Sequence, residues 1–295
     1  MDIKCAAYAL ILAAVWPVAD AWPAGGSIPF TPGVKISKPN QWALIAYDGT
    51  TEILLLVTDL RASRPTKVLQ VIPFPSEPKV TRGDTELFVK ANRHVSETLN
   101  SRSRRPAGGT ANSNVGEVTF QNKIGAHHIT IVRAIDSRKF VGWVKTFFEG
   151  QGVEAPVIPK VLHAAVEAYL RDQCRWFAFD VIELGTDTVT KDAVRYRFES
   201  RFLYYPLRIT RADHGNTSIR LLLLSPRLVR MPNVGTPRVR LLHRPVEVPR
   251  KTVEYWDKEI ASLFDDDSTL LLRAWGIKGR SSAFTRDVAT TWFKQ

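Results

Sequence analysis

The sequence predicts an α+β fold with largely antiparallel β-sheets and three to five helices. Runs rich in β-branched and aromatic residues alternate with only a few segments of helical spacing. Their order is strands, one helix, a polar loop, strands, two helices and then many strands, which differs from the regular strand–helix alternation of a parallel sheet. The chain has 295 residues and 44% hydrophobic content, enough to bury a sizeable core in one large domain or two small ones.

The N-terminus has the pattern of a secretory signal peptide. Lys4 precedes an apolar run over residues 5–19, and Ala19-Asp20-Ala21 gives an A-x-A cleavage site before Trp22. The run is too short and wrongly flanked to favour a spanning helix, although an uncleaved anchor or a buried N-terminal helix remain alternatives. We therefore expect cleavage between Ala21 and Trp22 and a secreted globular protein, periplasmic or extracellular, whose mature form has no transmembrane helix.

The chain is strongly basic. Its formal net charge is +12, and removal of residues 1–21, which hold one lysine and two aspartates, leaves +13. Such a charge favours attraction to an anionic cell-envelope polymer or a lipid surface. Nucleic acid is not an expected partner in an exported location. The alternative is that the charge has no functional role and that the protein is basic because it comes from a proteome of generally high pI.

The chain is expected to divide into five parts. They are a signal peptide (1–21), a Pro/Gly-rich tether (22–40), an N-terminal subdomain of β-hairpin, strand and helix (41–99), a basic flexible loop (100–116) and a larger α+β region (117–295). The basic loop carries Arg102, Arg104 and Arg105, which are candidate anion-binding residues. An ordinary solvated run of charges is the alternative.

Turn residues and changes of period place the elements of the N-terminal subdomain. Two β-rich runs flank Asp48-Gly49, a typical hairpin turn. The next strand, 68–74, is stopped by the prolines of the IPFPS segment, which lack backbone donors. This conformationally fixed strand end could also line a site. Residues 84–99 then carry apolar side chains at helical spacing, with Asp84 as the N-cap.

The larger region begins with strands and two helices. Asp136 or Ser137 caps the first helix, and 159–171 forms the second. Strand 176–184 is almost wholly apolar and is expected to be buried on both faces. The remaining expected elements are strands at 118–122, 128–134, 194–200, 202–210, 218–226 and 270–279 and a helix at 250–264.

Common catalytic and cofactor motifs are missing. The sequence has no GxGxxG after a strand, no P-loop, and no HExxH, CxxC or GxSxG pattern. We therefore predict no cofactor and no metal ligands from motifs, although spatial triads leave no such pattern. Cys174, left alone once Cys5 is removed, cannot form an intramolecular disulfide. It is either a small buried hydrophobe or a nucleophile activated by a neighbouring arginine.

One carboxylate lies where the pattern predicts a core. Asp180 falls inside strand 176–184, and a buried carboxylate needs a partner. Arg208, or an arginine of strand 194–200, would supply it if these strands are neighbours. The result would be a structural ion pair or a carboxylate lining a cleft. The weak catalytic candidates for a hydrolase are His128, Asp180, Tyr205 and Arg208, which this hypothesis requires to converge in one pocket.

The adjacent histidines His127 and His128 precede a β-branched run. If the strand includes both, their side chains point to opposite faces and cannot readily bind one ion. An adjacent di-histidine metal site is therefore disfavoured. A metal-binding protein would need one of them to meet a distant carboxylate. His127 is expected to pack at the strand entry, and His128 is the freer of the two.

Several segments, in order over residues 40–210, resemble a known bacterial family. They are ALIAYDGTTEILLLVT, VLQVIPFPSEPKV, GAHHITIVRAID, FVGWVKTFFEGQGVEAP, VEAYLRDQCRWFAFDVIEL and FLYYPLRIT. Together they are similar to the "domain of unknown function 2330" family. Residues 102–114 look like an insertion, and the cysteines that members often carry near the mature N-terminus are absent. The resemblance implies an exported or envelope-associated protein of unknown activity, and it supplies no catalytic residue.

Three functions are compatible with these features. The leading hypothesis is a non-catalytic binding or structural protein with affinity for anionic envelope material, which the charge, the β-rich pattern and the missing motifs favour. The alternatives are an envelope hydrolase with a site near Asp180 and Arg208, and a metal-binding protein.

Overall fold

The computed structural model describes residues 26–103, 128–153 and 160–293. Within them the strands are β1 (Ser27–Pro29), β2 (Ile36–Ser37), β3 (Asn40–Tyr47), β4 (Thr51–Ala62), β5 (Thr66–Phe74), β6 (Lys79–Arg82), β7 (His128–Arg133), β8 (Trp176–Leu184), β9 (Val189–Thr190), β10 (Val194–Glu199), β11 (Leu203–Tyr205), β12 (Asn216–Ser225), β13 (Val239–Leu241), β14 (Val246–Pro249), β15 (Thr269–Arg280) and β16 (Val288–Thr290). The helices are α1 (Glu86–Ser103), α2 (Ser137–Gly150), α3 (Lys160–Arg171), α4 (Arg250–Trp256) and α5 (Lys258–Ala261), with 3₁₀ helices at Arg208–Ala212 and Ser281–Ala283. The predicted α+β class, with mainly antiparallel sheets and five α-helices among the described residues, is confirmed.

Some predictions concern segments that the structure does not describe. The signal peptide with its cleavage site at Ala21 and Trp22, and the strand expected at 118–122, lie outside the described residues. The basic loop is described only at its start, where α1 continues to Ser103.

Most strands belong to one ten-stranded sheet. Its main path runs β13-β15-β12-β3-β4-β10-β6, with β14, β2 and β9 paired along it. The pairs are antiparallel except for β12 with β3, which are parallel. β3 and β4 form the predicted hairpin. Asp48 Oδ1 accepts the backbone N–H groups of Thr50 and Thr51 at 2.7 and 2.8 Å, and Gly49 has a φ of +114°, which favours glycine.

The second sheet has four strands in the order β1-β5-β8-β7. β8 pairs antiparallel with β5 and with β7, and both of its faces are covered, which confirms the predicted buried strand. Phe177 and Phe179 face α2 and α3, while Ala178 faces the ten-stranded sheet. β1 comes from the predicted tether and pairs with β5, and its Ser27 and Ile28 are buried. Part of that segment therefore lies within the fold.

The layers follow the order helix, sheet, sheet, helix. α1 and α4 cover one face of the ten-stranded sheet through side chains such as Phe88 and Val253. The other face packs on the four-stranded sheet, where the Phe74 and Tyr196 rings lie 4.9 Å apart. α2 and α3 close the outer side of the four-stranded sheet, with Phe140 against β8. Each fully buried large side chain contributes about 1.5–3 kcal/mol, so apolar burial is the main stabilising term.

One predicted strand is wrong at its C-terminal end. The strand expected over 202–210 is β11, which ends at Tyr205. Pro206 follows and has no backbone N–H for a ladder, and the chain turns into the 3₁₀ helix Arg208–Ala212. The Thr210 hydroxyl donates to the Leu207 carbonyl at 2.7 Å and stabilises this turn. Arg208 is consequently held by a helical turn and not by a sheet.

The helix expected over 250–264 is broken into α4 and α5. Asp257 has an extended backbone, with φ −161° and ψ 114°, and its carboxylate accepts the N–H of Ile260 as the N-cap of α5. Aspartate favours this role, so it starts a new helix and does not continue the old one. The same chemistry confirms the predicted cap of α2, where Asp136 Oδ1 accepts two N–H groups of the first turn at 2.8 and 3.0 Å.

A substitution at Gly83 tests the packing of β4 against the chain that enters α1. A Cβ there would overlap Leu55 Cδ1 and lie 2.9 Å from the Cβ of Ala193, and both neighbours are buried. We expect Gly83→Ala to lower the free energy of unfolding by about 1–3 kcal/mol, because overpacking strains a closed core. The matched control is Gly142→Ala in α2, where no described atom approaches the new Cβ within 4 Å and helix propensity should add up to about 1 kcal/mol. Urea unfolding measures both, and an unchanged midpoint for Gly83→Ala would contradict the described packing.

Candidate functional site

A pocket of about 780 Å³ opens where the β3–β4 turn, the end of β5 and the chain after α3 meet. The IPFPS segment lines it through Pro75 and Ser76. Whether this rigid strand end belongs to a functional site stays a prediction. Ser76 Oγ donates to the Glu199 carbonyl at 2.7 Å and ties the segment to β10. A second hollow of about 620 Å³ shares Thr51, Ser76 and Glu199 with it and therefore lies next to it.

The far wall of the pocket is the C-terminal end of α3. Gln173 has a left-handed backbone, with φ 64°, and the N–H of Cys174 donates to the Tyr169 carbonyl at 2.9 Å. The Gln173 N–H donates to Leu170, which completes a Schellman motif with glutamine where glycine is usual. This turn holds Asp172 and Cys174 in the pocket wall.

Behind this wall lies a cluster of polar groups around Arg208. Its guanidinium Nη1 lies 2.8 Å from Asp172 Oδ2, and its carbon stands 4.2 Å from the centre of the Tyr169 ring. Asp287 Oδ1 accepts the Arg208 backbone N–H at 2.6 Å and the Tyr169 hydroxyl at 2.9 Å. Burial raises the pKa of Asp287 to about 6 against the lowering effect of Arg208. The cluster ties the 3₁₀ helix, α3 and the start of β16 together.

Cys174, the nucleophile candidate of the sequence, lies within electrostatic reach of this cluster. Burial, with Asp287 and Asp172 adding to it, raises the pKa of its thiol to about 12. The thiolate is the reactive form, so the thiol is inert at neutral pH. Of the two alternatives left by the sequence, the structure favours the small buried hydrophobe.

Asp180 lies apart from Arg208. It is 2% exposed and stands on β8 between Gln70 of β5 and Ile129 of β7. Alternation along β8 places it on the side of the ten-stranded sheet, whereas Tyr169, on which Arg208 packs, contacts Phe177 on the opposite side. Arg208 pairs with Asp172 and Asp287 instead.

Asp180 acts electrostatically on Lys191 and Tyr196. Burial lowers the pKa of Lys191, and the charge of Asp180 opposes that effect. Burial raises the pKa of Tyr196, and Asp180 adds to it. Asp180 therefore belongs to the interface between the two sheets, and the hydrolase site near Asp180 and Arg208 stays a prediction.

The other candidates are also separated. Tyr205 donates its hydroxyl to Gln41 Oε1 at 2.8 Å and is buried against the ten-stranded sheet. His128 begins β7 opposite Val181, and its side chain lies outside what the structure describes, as do those of Arg102, Arg104 and Arg105. Among the described residues, no group of three or more His, Cys, Asp or Glu is arranged to hold a metal ion.

Sequence reasoning missed a buried glutamate. Glu52 is 0% exposed, its Oε2 accepts the Tyr204 N–H at 2.7 Å, and its Oε1 has no hydrogen-bond partner among the described residues. Burial raises its pKa well above the ordinary value of 4.5. Glu52 lies at the start of β4, close to the Asp48-Gly49 turn. The alternation with buried Leu54 was the signal that could have placed it inside.

Sequence reasoning also missed a basic face on the ten-stranded sheet. Arg240, Gly276, Arg220 and Trp42 stand in register across β13, β15, β12 and β3. Lys278 follows Gly276 by two residues and shares their face. We call Arg220, Arg240 and Lys278 the basic face. The basic face lies on the same side of the ten-stranded sheet as α1 and α4, beside the part of the sheet that these helices cover. Its Arg240 and Lys278 are exposed.

Some arginines elsewhere in the fold are paired with carboxylates, whereas the cations of the basic face have no such partner among the described residues. Arg195 binds Asp257 and Glu259, and Arg250 binds Glu254. Within the part of the chain that the structure describes, no carboxylate lies within ion-pair distance of the basic face. Burial lowers the pKa of the neighbouring His243, and the charge of Arg220 lowers it further. The basic face is thus a local excess of positive charge.

No curated protein matches the chain. The chain is similar to a solved structure described as baculovirus P35, with a TM-score of 0.43 and 9% identity, over 90% of this chain and 100% of that one. No helix in the described ranges is both long and apolar enough to cross a membrane. A family model matches residues 19–262, most of the chain, in agreement with the resemblance noted from its sequence blocks. The chain belongs to DUF2330, a family described as uncharacterised proteins conserved in bacteria.

Proposed function

We propose that this protein is an exported, non-catalytic binding protein for anionic material of the bacterial envelope. The observation that carries the proposal is the basic face. Three cations from three strands share one side of the sheet, and none of them is neutralised by a carboxylate among the described residues. Phosphate or carboxylate groups on a lipid headgroup or an envelope polymer are the chemistry that such a face recognises.

The rest of the molecule supports binding over catalysis. The thiol of Cys174 is held in its unreactive form, and Arg208 and Asp287 are engaged with each other beneath the pocket wall. The formal charge of +13 that remains without residues 1–21 adds a general attraction to anionic surfaces to that of the basic face. These features support a scaffold that binds through an electrostatic docking face.

Charge-neutralising variants test where the binding resides. Arg220→Gln, Arg240→Gln and Lys278→Gln together should elute from heparin-agarose at clearly lower salt than the wild type. The matched control is Arg138→Gln, Lys139→Gln and Lys145→Gln on the exposed side of α2, which removes the same charge and should elute near the wild type. If both triple variants elute at equally lowered salt concentrations, the affinity depends only on net charge, which would contradict a role for the basic face. A wild-type protein that is not retained at low salt would contradict the function itself.

Export is tested separately. We expect the full chain, expressed in a bacterium, to be recovered from the periplasm or medium with Trp22 as its first residue, because residues 19–21 form a small-residue cleavage site. Edman sequencing or intact-mass measurement reads the terminus. Protein that keeps residues 1–21 and stays in the cytosolic fraction would contradict the proposal.

A further inference from the structure

The edge of the ten-stranded sheet next to the basic face exposes two leucines. β13 is the strand at one end of the main path. Leu241 is its last residue, Leu242 follows it directly, and each of the two is 47% exposed. Leu242 is held there by its N–H, which donates to the Ala274 carbonyl at 2.9 Å.

Gly276 makes room for Leu242 on the same face as Arg220. A Cβ on Gly276 would lie 2.9 Å from Leu242 Cδ2, so the leucine rests directly over the glycine backbone. The register then places Arg240 on one side of this contact and Arg220 on the other. Leu242 thus lies over a glycine whose register neighbours on both sides are arginines.

The same short segment is rich in further cations. Arg238, Arg240 and Arg244 are exposed, and residues 238–244 contain no acidic side chain. We call residues 238–244 the basic–apolar edge. Adjacent exposed leucines flanked by arginines have the composition of segments that lie in a membrane interface, with the apolar groups at the headgroup–acyl boundary and the cations on phosphates.

We infer that the basic–apolar edge docks this protein on the surface of an anionic phospholipid bilayer. Leu241 and Leu242 enter the headgroup–acyl boundary, and Arg238, Arg240 and Arg244 bind headgroup phosphates, with the basic face above them. The inference rests on the proposed affinity for anionic material and specifies its source. A soluble polyanion offers phosphate or carboxylate but no apolar phase for the leucines.

A second copy of the chain is a poorer occupant of this edge. Pairing β13 with another β13 would bring the arginines of two edges together, and charged edge strands are a common way to prevent such pairing. The water of the headgroup layer can still satisfy the outward backbone groups of the edge, which the hydrocarbon core could not. Docking is therefore expected to be shallow.

Vesicle sedimentation of the full chain tests the inference. The wild type should bind vesicles of phosphatidylglycerol and phosphatidylcholine and leave vesicles of phosphatidylcholine alone in the supernatant. Leu241→Ser with Leu242→Ser should weaken binding to the anionic vesicles at least tenfold yet elute from heparin-agarose at the wild-type salt. The control, Ile135→Ser with Tyr255→Ser, removes two more exposed apolar side chains from other elements and should bind as the wild type does.

The outcomes separate the inference from the proposed function. Retention on heparin without binding to anionic vesicles would overturn the lipid assignment and leave the broader affinity standing, and failure on both would overturn both. Undiminished vesicle binding by the variant Leu241→Ser with Leu242→Ser would also overturn the inference that the basic–apolar edge docks on the bilayer. A Leu242→Trp variant gives an independent check, because its emission should shift to the blue on anionic vesicles and be quenched by lipids brominated near the headgroup. An unchanged spectrum with bound protein would place the contact elsewhere.

Discussion

Replacing Glu52 with glutamine is expected to stabilise the protein at neutral pH. The Glu52 carboxyl is fully buried with one backbone N–H as its partner, and burial raises its pKa well above 4.5. At pH values between the pKa of Glu52 in the unfolded state and its higher pKa in the folded state, Glu52 is protonated in the folded protein and ionised in the unfolded one. The free energy of unfolding therefore falls as the pH rises through this range. The loss is about 1.4 kcal/mol for each pH unit in that window. Glutamine keeps the acceptor for the Tyr204 N–H and does not titrate.

The expected result is a gain that grows with pH. Glu52→Gln and the wild type should have similar free energies of unfolding near pH 4.5, and the variant should be increasingly more stable towards pH 7. Urea unfolding at several pH values measures this, with Glu149→Gln on the exposed surface of α2 as the control that should not change the slope. A difference between Glu52→Gln and the wild type that does not depend on pH would contradict a buried, protonated Glu52.

Replacing Arg208 with methionine is expected to be among the most damaging single changes. It removes the cation that faces Asp287 and Asp172 and leaves the buried Asp287 carboxylate without a counter-charge. Breaking a buried pair in this way costs about 3–5 kcal/mol of stability. Adding Asp287→Asn should recover part of the loss, because both charged members are then absent.

The pH dependence of this cluster has a definite sign. Burial raises the pKa of Asp287 from 3.8 to about 6, so the protonated folded state is favoured and stability falls as pH rises from about 4 to about 6. The stability lost through Arg208→Met should be smaller at pH 5, where Asp287 is protonated and needs no counter-charge, than at pH 7. Thermal unfolding of Arg208→Met and the double variant at both values checks this. Equal losses at pH 5 and pH 7 would mean that Arg208 acts through packing and not through its charge.

Local patterns in the sequence predict the elements better than the contacts between them. The apolar run of β8 and the Asp136 cap depend on neighbouring residues and are confirmed. Asp257 is a local N-cap for α5, but it lies inside an apolar pattern that also fits one continuous helix, so the pattern alone supports either choice. Asp257 also binds Arg195, 62 positions away, and no local pattern reveals that contact.

The candidate site was harder to predict for the same reason. Asp180 was recognised as a buried carboxylate, but its partner depends on which side of β8 it faces, and a shift of one residue in register reverses that side. The basic face joins Arg220 to Arg240 across Gly276, and no spacing along the chain reveals that register. The adjacent leucines of the basic–apolar edge are visible in the sequence, but their exposure is not.

The partition coefficient on phosphatidylglycerol vesicles at 0.1 M salt tests binding through the basic face most directly. Each cation near an anionic surface contributes about 1 kcal/mol, so Arg220→Gln with Arg240→Gln and Lys278→Gln should lower the coefficient about 100-fold. The triple variant of α2, with the same net charge, should remain within a few-fold of the wild type. Equal partition coefficients for the wild type and both triple variants would contradict binding through the basic face.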